Sequence, residues 1–403
     1  MFETYKLYFA SYKSNIQRKI PIVVHQPAEI ISTSERLKSL SAEAAIQPWI
    51  GIDIEGNGFF RYPERVCLIQ ISIGQTPYLI DPLDVEDMSP LGDVLSDASV
   101  TKILHSGDYD IRSLHRDYGF QFENVFDTSI AGGFLGSKRL GLDAILKEFL
   151  DVLVTKDKKL QRSDWTDRPL SKEALAYAAN DVRYLGEARQ NMLDRLTEKG
   201  RSTWAEEECV RLSSVRFEPR DEETAFLRVK GSKDLDGRGL AILRSLYDFR
   251  EDEAIGKDRP PFKIVSDSVL VAIAREPDDE YSKIKGIGWW GRSEIRKRLN
   301  KVVAEAKNGE PVLRPRNETR RGPHLSHHER EMANQRLKDL KQWRKSLGQT
   351  LELDPSLLWP TVSLSRLARF PEDLQAEFDE PEVRKWQVKE FAENLACCLK
   401  ELS

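Results

Sequence analysis

The stretch WIGIDIEG (49–56), answered after a turn by VCLIQISI (66–73), decides the fold. Both runs are apolar and β-branched, and the residues between them include Gly56, Asn57, Gly58 and the pair Tyr62-Pro63. This pattern predicts strands over Trp49–Ile54 and Val66–Ile73, with a third at Tyr78–Ile80 completing an antiparallel meander. In a strand, residues i and i+2 face the same side, so Asp53 and Glu55 project together from the strand end. Taken alone, such a pair is more often a polar strand terminus than a site.

Beyond the meander the period changes. Lys102–His105 reads as a short strand, Asp108–Tyr118 as a helix and Val125–Asp127 as another strand. Helices are predicted at Ile130–Leu135 and Leu142–Leu150, and one long helix from about Ser171 to Leu196. An earlier helix, capped near Ser32–Ser34, would turn Leu37 and Leu40 inward. Strands that meander and then alternate with helices imply an α/β domain, a mixed sheet flanked by helices.

Two further groups of acids fall at the ends of these elements. In KILHSGDYDI (102–111), Asp108 suits a helix N-cap, and Asp110, in the first turn, would point back at the strand ends. In ALAYAANDVRYL (174–185), Tyr177 and Asp181 stand at i and i+4, neighbours on one helical face. Asp53, Glu55, Asp110 and Asp181 thus form a wholly acidic set. Hard divalent ions such as Mg²⁺ or Mn²⁺ need clustered oxygen ligands. Two such ions can activate a water and neutralise a leaving oxygen in phosphodiester hydrolysis. Tyr177 would orient the water.

The same stretches carry a resemblance. DIEGNGFFRYPERVCLIQIS (53–72), ILHSGDYDIRSLHRDYG (103–119), FDTSIAGGFLG (126–136) and YAANDVRYL (177–185) resemble the ribonuclease D family of DEDD-type 3′→5′ exonucleases, in its tyrosine-containing branch. KKLQRSDWTDRPLS (158–171) is similar to the segment before that family's last helix. The resemblance implies a ribonuclease-H-like domain in which Asp53, Glu55, Asp110 and Asp181 bind metal and Tyr177 positions water. One departure is visible: the family usually has a bulky residue directly after the first motif's Glu, where this chain has Gly56-Asn57-Gly58. If that side chain packs against the terminal base, either Phe59 takes over the contact or the grip on the terminus is weaker.

Other residues have two readings each. His105 is a substrate contact or a structural strand-end histidine, Gln70 a site hydrogen bonder or a satisfied core amide. Asp127 either assists the cluster or caps the following helix, and the cap is favoured. Lys158, Lys159, Arg162 and Arg168 steer phosphates or form a solvated face. In GIGWWG (286–291), Trp289 and Trp290 stack on bases or anchor a turn.

The C-terminal half repeats itself. An ungapped offset of 94 aligns Leu243 with Leu337, Phe249-Arg250 with Trp343-Arg344, and Pro261 with Pro355. It also aligns AREPDD (274–279) with ARFPED (368–373), ending at Asp279 and Asp373. Two copies of one small helical module follow, and each resembles the HRDC domain, an accessory nucleic-acid-binding module. The expected organisation is an N-terminal extension over 1–28, an exonuclease domain over 29–205 and a linker over 206–235. Then come an HRDC-like domain over 236–308, a second linker over 309–324 and a second HRDC-like domain over 325–403.

With 403 residues, 40% hydrophobic and 32% charged, the chain can bury several cores. No apolar run approaches the roughly 20 residues of a membrane helix, so no membrane partner is expected. The first residues lack the apolar core of a secretory signal. Four scattered cysteines fit neither a disulfide framework nor a zinc site, and a reduced, cytoplasmic setting follows. His324, His327 and His328 lack spaced acidic or thiol partners, so no metal site is assigned to them. A net charge of −4 hides a basic stretch from Leu313 to Lys345, with ten Lys and Arg against four Asp and Glu. The combined expectation is a metal-dependent 3′→5′ exoribonuclease, a monomer, trimming precursor tRNA or other structured small RNA. A DNA 3′→5′ exonuclease in repair, or a catalytically idle nucleic-acid-binding scaffold, are the alternatives.

Overall fold

The computed structural model describes residues 28–154, 157–219, 221–277, 281–315 and 325–402. The expected extension up to residue 27, Asp279 and His324 lie outside them. A six-stranded mixed sheet carries the first domain: β1 (Glu29–Ile31), β2 (Trp49–Gly56), β3 (Val66–Ile73), β4 (Thr76–Ile80), β5 (Thr101–Leu104) and β6 (Val125–Asp127), in spatial order 1-4-3-2-5-6. β2, β3 and β4 form the antiparallel meander, while β5 and β6 run parallel to β2. β1, too short to leave a sequence signal, pairs parallel with β4.

Period-2 alternation sorts the two faces of β2. Ile50, Ile52 and Ile54 enter a core shared with α1 (Ser34–Ala45), α2 (Ser89–Ser96) and α3 (Asp108–Tyr118). Leu37 and Leu40 of α1 are buried there as expected, and its N-cap is Thr33. The other face is covered by further helices: α4 (Thr128–Leu135), α5 (Leu142–Leu150), α6 (Lys158–Gln161), α7 (Lys172–Arg183) and α8 (Leu185–Glu198).

The single helix expected from 171 to 196 is therefore two. Ser72 Oγ donates to the Val182 carbonyl at 2.9 Å, taking the acceptor that the next helical turn would use. A Cβ on Gly186 would lie 1.9 Å from the Trp49 ring. The sheet intrudes on the helix and turns it at Tyr184.

The stretch 206–235, expected to be a polar linker, is largely ordered structure. It opens inside α9 (Ser202–Ser213), then forms 3-10 turns at Ala225–Arg228 and Ser232–Asp234, with Phe226, Val229 and Leu235 buried. Apolar residues at wide intervals carried too little periodicity to be read as core.

The two helical modules share their first three helices and their last, and differ in the connection between the third and the last. The first holds α10 (Gly237–Gly256), α11 (Pro261–Ile264), α12 (Asp267–Arg275) and α13 (Ser293–Asn308). The second holds α14 (His327–Leu351), α15 (Pro355–Leu358), α16 (Thr361–Arg369), α17 (Leu374–Glu377) and α18 (Lys385–Glu401). α15 and α16 begin and end 94 residues after α11 and α12. Even hydrogen bonds repeat. Arg250 Nη1 donates to the Val265 carbonyl and to Asp267 Oδ1; Arg344 Nη1 donates to the Trp359 carbonyl and to Thr361 Oγ1. Trp290 is fully buried against Phe249, so it anchors a turn. Among the described residues no helix is long and apolar enough to cross a membrane.

Candidate active site

β2 delivers Asp53 and Glu55 to the face covered by α7, and α7 returns Asp181 onto them. One carboxylate oxygen from each of the three lies within 4.8 Å of the others. Tyr177, one turn before Asp181, lines both cavities above them, of 330 and 550 Å³.

Asp110 arrives from the end of β5. The chain turns sharply at Ser106, whose φ is +59°, and α3 begins at once. Asp108 does not cap this helix. Its carboxylate pairs outward with Arg112 at 2.9 Å, while Gly107 occupies the cap position. The carboxylate that serves the helix start comes from Asp127, whose Oδ2 accepts from the Gly107 N–H at 2.8 Å. Asp127 Oδ1 accepts from the N–H groups of Ser129 and Ile130, so the favoured cap of α4 is present as well. Asp110, at 6% exposure, lines the larger cavity beside Asp53 and Glu55.

Burial raises Asp53, Glu55 and Asp110, and neighbouring charges add to it at Glu55 and Asp110. Burial raises the Asp53 carboxyl to about 7, against the opposing pull of the Ile54 amide. Glu55 is pushed well above its ordinary range by burial, then by the charges of Asp53, Asp181 and Asp110. Asp110 rises for the same reasons, with Asp53 and Asp127 as its charged neighbours. The Tyr177 phenol is also raised, by burial first and then by Asp181, Glu55 and Asp53. It stays protonated at neutral pH, hydrogen bonded to Asp181, and can hold a water but not take its proton. An all-oxygen cluster whose members repel one another fits hard divalent cations.

The expected substrate contacts divide. Phe59 lines the larger cavity and is 51% exposed, with the Arg162 guanidinium 5.9 Å from its ring centroid. His105 lines the smaller cavity, its Nδ1 2.8 Å from Thr128 Oγ1. Arg168 is elsewhere. It forks onto Asp81 and also donates to the carbonyls of Cys67 and Trp165, tying the 158–171 segment to the sheet. Its sequence neighbours suggested a basic patch, and a distant acid claimed it instead. Gln70 faces the same way as Asp53, its register partner, and is fully buried.

The sequence profile of the 3′-5′ exonuclease family matches residues 28–197, and that of the HRDC domain matches 239–305. Ribonuclease D of Zymomonas mobilis is 31% identical over 296 residues, 71% of this chain and 73% of that protein. The chain belongs to the ribonuclease D family. Ribonuclease D of Desulfotalea psychrophila is 33% identical over 248 residues, covering 61% of this chain and 66% of that protein. The crystal structure of Escherichia coli RNase D, described as an exoribonuclease involved in structured RNA processing, superposes with a TM-score of 0.68 at 26% identity. That match covers 93% of this chain and 99% of the other. The catalytic core of RRP6 from Trypanosoma brucei gives 0.59 at 26% identity, over 70% of this chain and 80% of that one. The family is one of 3′→5′ exoribonucleases, and the acids that this member brings together are those its sequence singled out.

Sequence reasoning missed several residues of the cleft. Gln161 and Asn180 line it from the helices beside Tyr177, and Tyr109 from α3. Phe262 comes from the first helical module. Nothing local marks it; comparing the two repeats would have, because its counterpart is Ser356.

Proposed function

We propose that this chain removes nucleotides one at a time from RNA 3′ ends, releasing nucleoside 5′-monophosphates, with precursor tRNA or another structured small RNA as substrate. The observation that carries the reading is the convergence of Asp53, Glu55, Asp110, Tyr177 and Asp181, from three separated stretches, on one cleft. The four acids would hold two divalent ions, Mg²⁺ or Mn²⁺, which when bound supply Lewis-acid activation of water and charge neutralisation at the leaving oxygen. The chain's own part is positional. Asp53 and Glu55 stand on a rigid central strand, Asp110 and Asp181 on helices that close over it. Tyr177 presents a neutral hydroxyl, a fixed donor and acceptor for the attacking water. Phe59 and Arg162 lie where the terminal nucleotide would enter, and His105 at the neighbouring wall.

The second helical module would be another HRDC-like unit, a reading supported by α15 and α16, which stand 94 residues after α11 and α12, and by the repeated Arg250 and Arg344 hydrogen bonds. The four cysteines are free thiols, two of them buried, which suits a reducing cytoplasm, where the protein would act as a monomer. A time course on 5′-labelled precursor tRNA with a 3′ trailer, and on DNA of the same sequence, tests the reading. Each is run with Mg²⁺, with Mn²⁺ or with EDTA, beside Asp110→Asn. A metal-dependent RNA ladder that stops at the tRNA stem and disappears in the variant is expected. A ladder on DNA alone, or equal turnover by Asp110→Asn, would overturn it.

A further inference from the structure

Three aromatic side chains stand among the exposed large hydrophobics of the described residues: Phe59 at 51%, Tyr109 at 47% and Phe262 at 58%. All three line the same 550 Å³ cavity above the carboxylates. Phe59 and Tyr109 belong to the exonuclease domain. Phe262 belongs to α11 of the first helical module, so that module supplies part of the cleft wall.

It is held there by a set of polar contacts. Asp258 accepts from the Tyr62 backbone N–H at 3.1 Å and pairs with Arg61 at 3.2 Å. The Tyr62 hydroxyl donates to Glu251, and Lys263 Nζ lies 4.1 Å from the Phe60 ring centroid. The repeat supplies an internal control. At an offset of 94, Phe262 corresponds to Ser356 and Lys263 to Leu357. An aromatic occupies this position only in the copy that faces the cleft. A ring left in water at the mouth of a nucleic-acid cleft is a stacking platform for a base, and tolerant of which base it is.

We propose that Phe262 stacks on a base of the single-stranded 3′ tail, upstream of the nucleotide being removed. The first helical module then forms part of the strand-binding cleft as well as any outer RNA contact. This rests on the exoribonuclease reading. Because Phe262 is solvent-exposed, truncating it leaves the fold in place.

The test compares full-length wild type, Phe262→Ala and Phe262→Trp on a series of short oligoribonucleotides. Each oligonucleotide carries one abasic position, stepped inward from the 3′ end. Phe262→Ala is expected to raise KM about tenfold on the intact strand with kcat within about twofold, and Phe262→Trp to restore it. One internal abasic position should raise the wild-type KM by a similar factor and add nothing further in Phe262→Ala, as partners of one contact behave. An unchanged KM in Phe262→Ala, or abasic penalties equal in wild type and variant, would overturn the assignment and leave the nuclease reading intact. Failure of the wild type itself to shorten RNA with Mg²⁺ or Mn²⁺ would overturn both.

Discussion

The two helical modules share a framework and differ in how they meet the exonuclease domain. Both present the same edge, the turn between the long first helix and the four-residue second one. Its left-handed residue is Asp258 in one copy (φ +49°) and Glu352 in the other (φ +55°), 94 positions apart. In the first copy this edge binds the Phe60–Tyr62 loop, Asp258 meeting Arg61 and Tyr62 and Lys263 meeting the Phe60 ring. In the second it packs against the end of α4 and the start of α9. Arg201 bridges the carbonyls of Phe134 and Leu351 at 2.8 Å each, and Leu357 packs towards Gly133. Trp204 and Trp386 stack with centroids 4.5 Å apart, and Phe134 meets Trp386 edge-on. Glu207 accepts from the N–H groups of Lys385 and Trp386, where α18 begins. One core runs from the exonuclease sheet into the second module, whereas the first keeps a core of its own. Duplication has conserved the inner hydrogen bonds of the module and freed its outer edge. One copy became a wall of the cleft and the other a part of the scaffold.

That contrast breaks most visibly at Trp386. Trp386→Ala removes a nearly buried ring from the shared core and should lower stability by about 3–5 kcal/mol, measured by denaturant unfolding with exonuclease-domain probes. If those probes are unaffected, the shared core is not one cooperative unit. A smaller loss is expected for Gly136→Ala. Gly136 sits at φ +87°, and a Cβ there would lie 2.6 Å from the Glu352 carbonyl oxygen. Strain of this kind amounts to about 1–3 kcal/mol, and thermal melting would detect it. An unshifted Tm would mean that the second module rides loosely.

At the first module the effect on stability should be slight. Asp258→Ala breaks partly exposed pairs worth at most about 1 kcal/mol, yet KM for RNA should rise and become more salt-sensitive. A large fall in Tm with unchanged KM would reverse the roles assigned to the two copies. The carboxylate cluster gives the smallest and most conditional signal. The folded-state pKa of Asp53, about 7, exceeds the ordinary value near 4. The folded protein therefore keeps a proton that the unfolded chain releases. That contribution is full below about pH 4 and is lost as pH rises through about 7. In EDTA at pH 8, Asp53→Asn should melt above wild type by roughly 2–4 °C, a gain of about 1 kcal/mol, and the gap should close at pH 4. A variant that melts below wild type at pH 8 would contradict the cost of burying the Asp53 charge.

Much of this was legible from residue order. The strands of the meander and the Asp53–Glu55 pair follow from alternation, Tyr177 and Asp181 from helical spacing, and the repeat from a fixed offset that persists down to the hydrogen bonds of Arg250 and Arg344. What escaped was decided at long range. Asp108 had every local mark of a cap, but Asp127 supplies the carboxylate from 20 residues downstream. Arg168 looked like a phosphate contact until Asp81 paired with it across 87 residues. The helix is interrupted at Tyr184, where Ser72 and Trp49 press on it from the sheet, and Gly186 beside it was too weak a local signal to mark the break. α9 escaped because part of its apolar face exists only against Trp386.

Asp127 also joins the two ends of the molecule. One of its carboxylate oxygens holds the start of α3, which bears Asp110; the other holds the start of α4, which is packed into the second module's core. The side chain works as a pin through two levers. Through these short bonds the helix that bears Asp110 and the helix that meets the C-terminal module share one anchor.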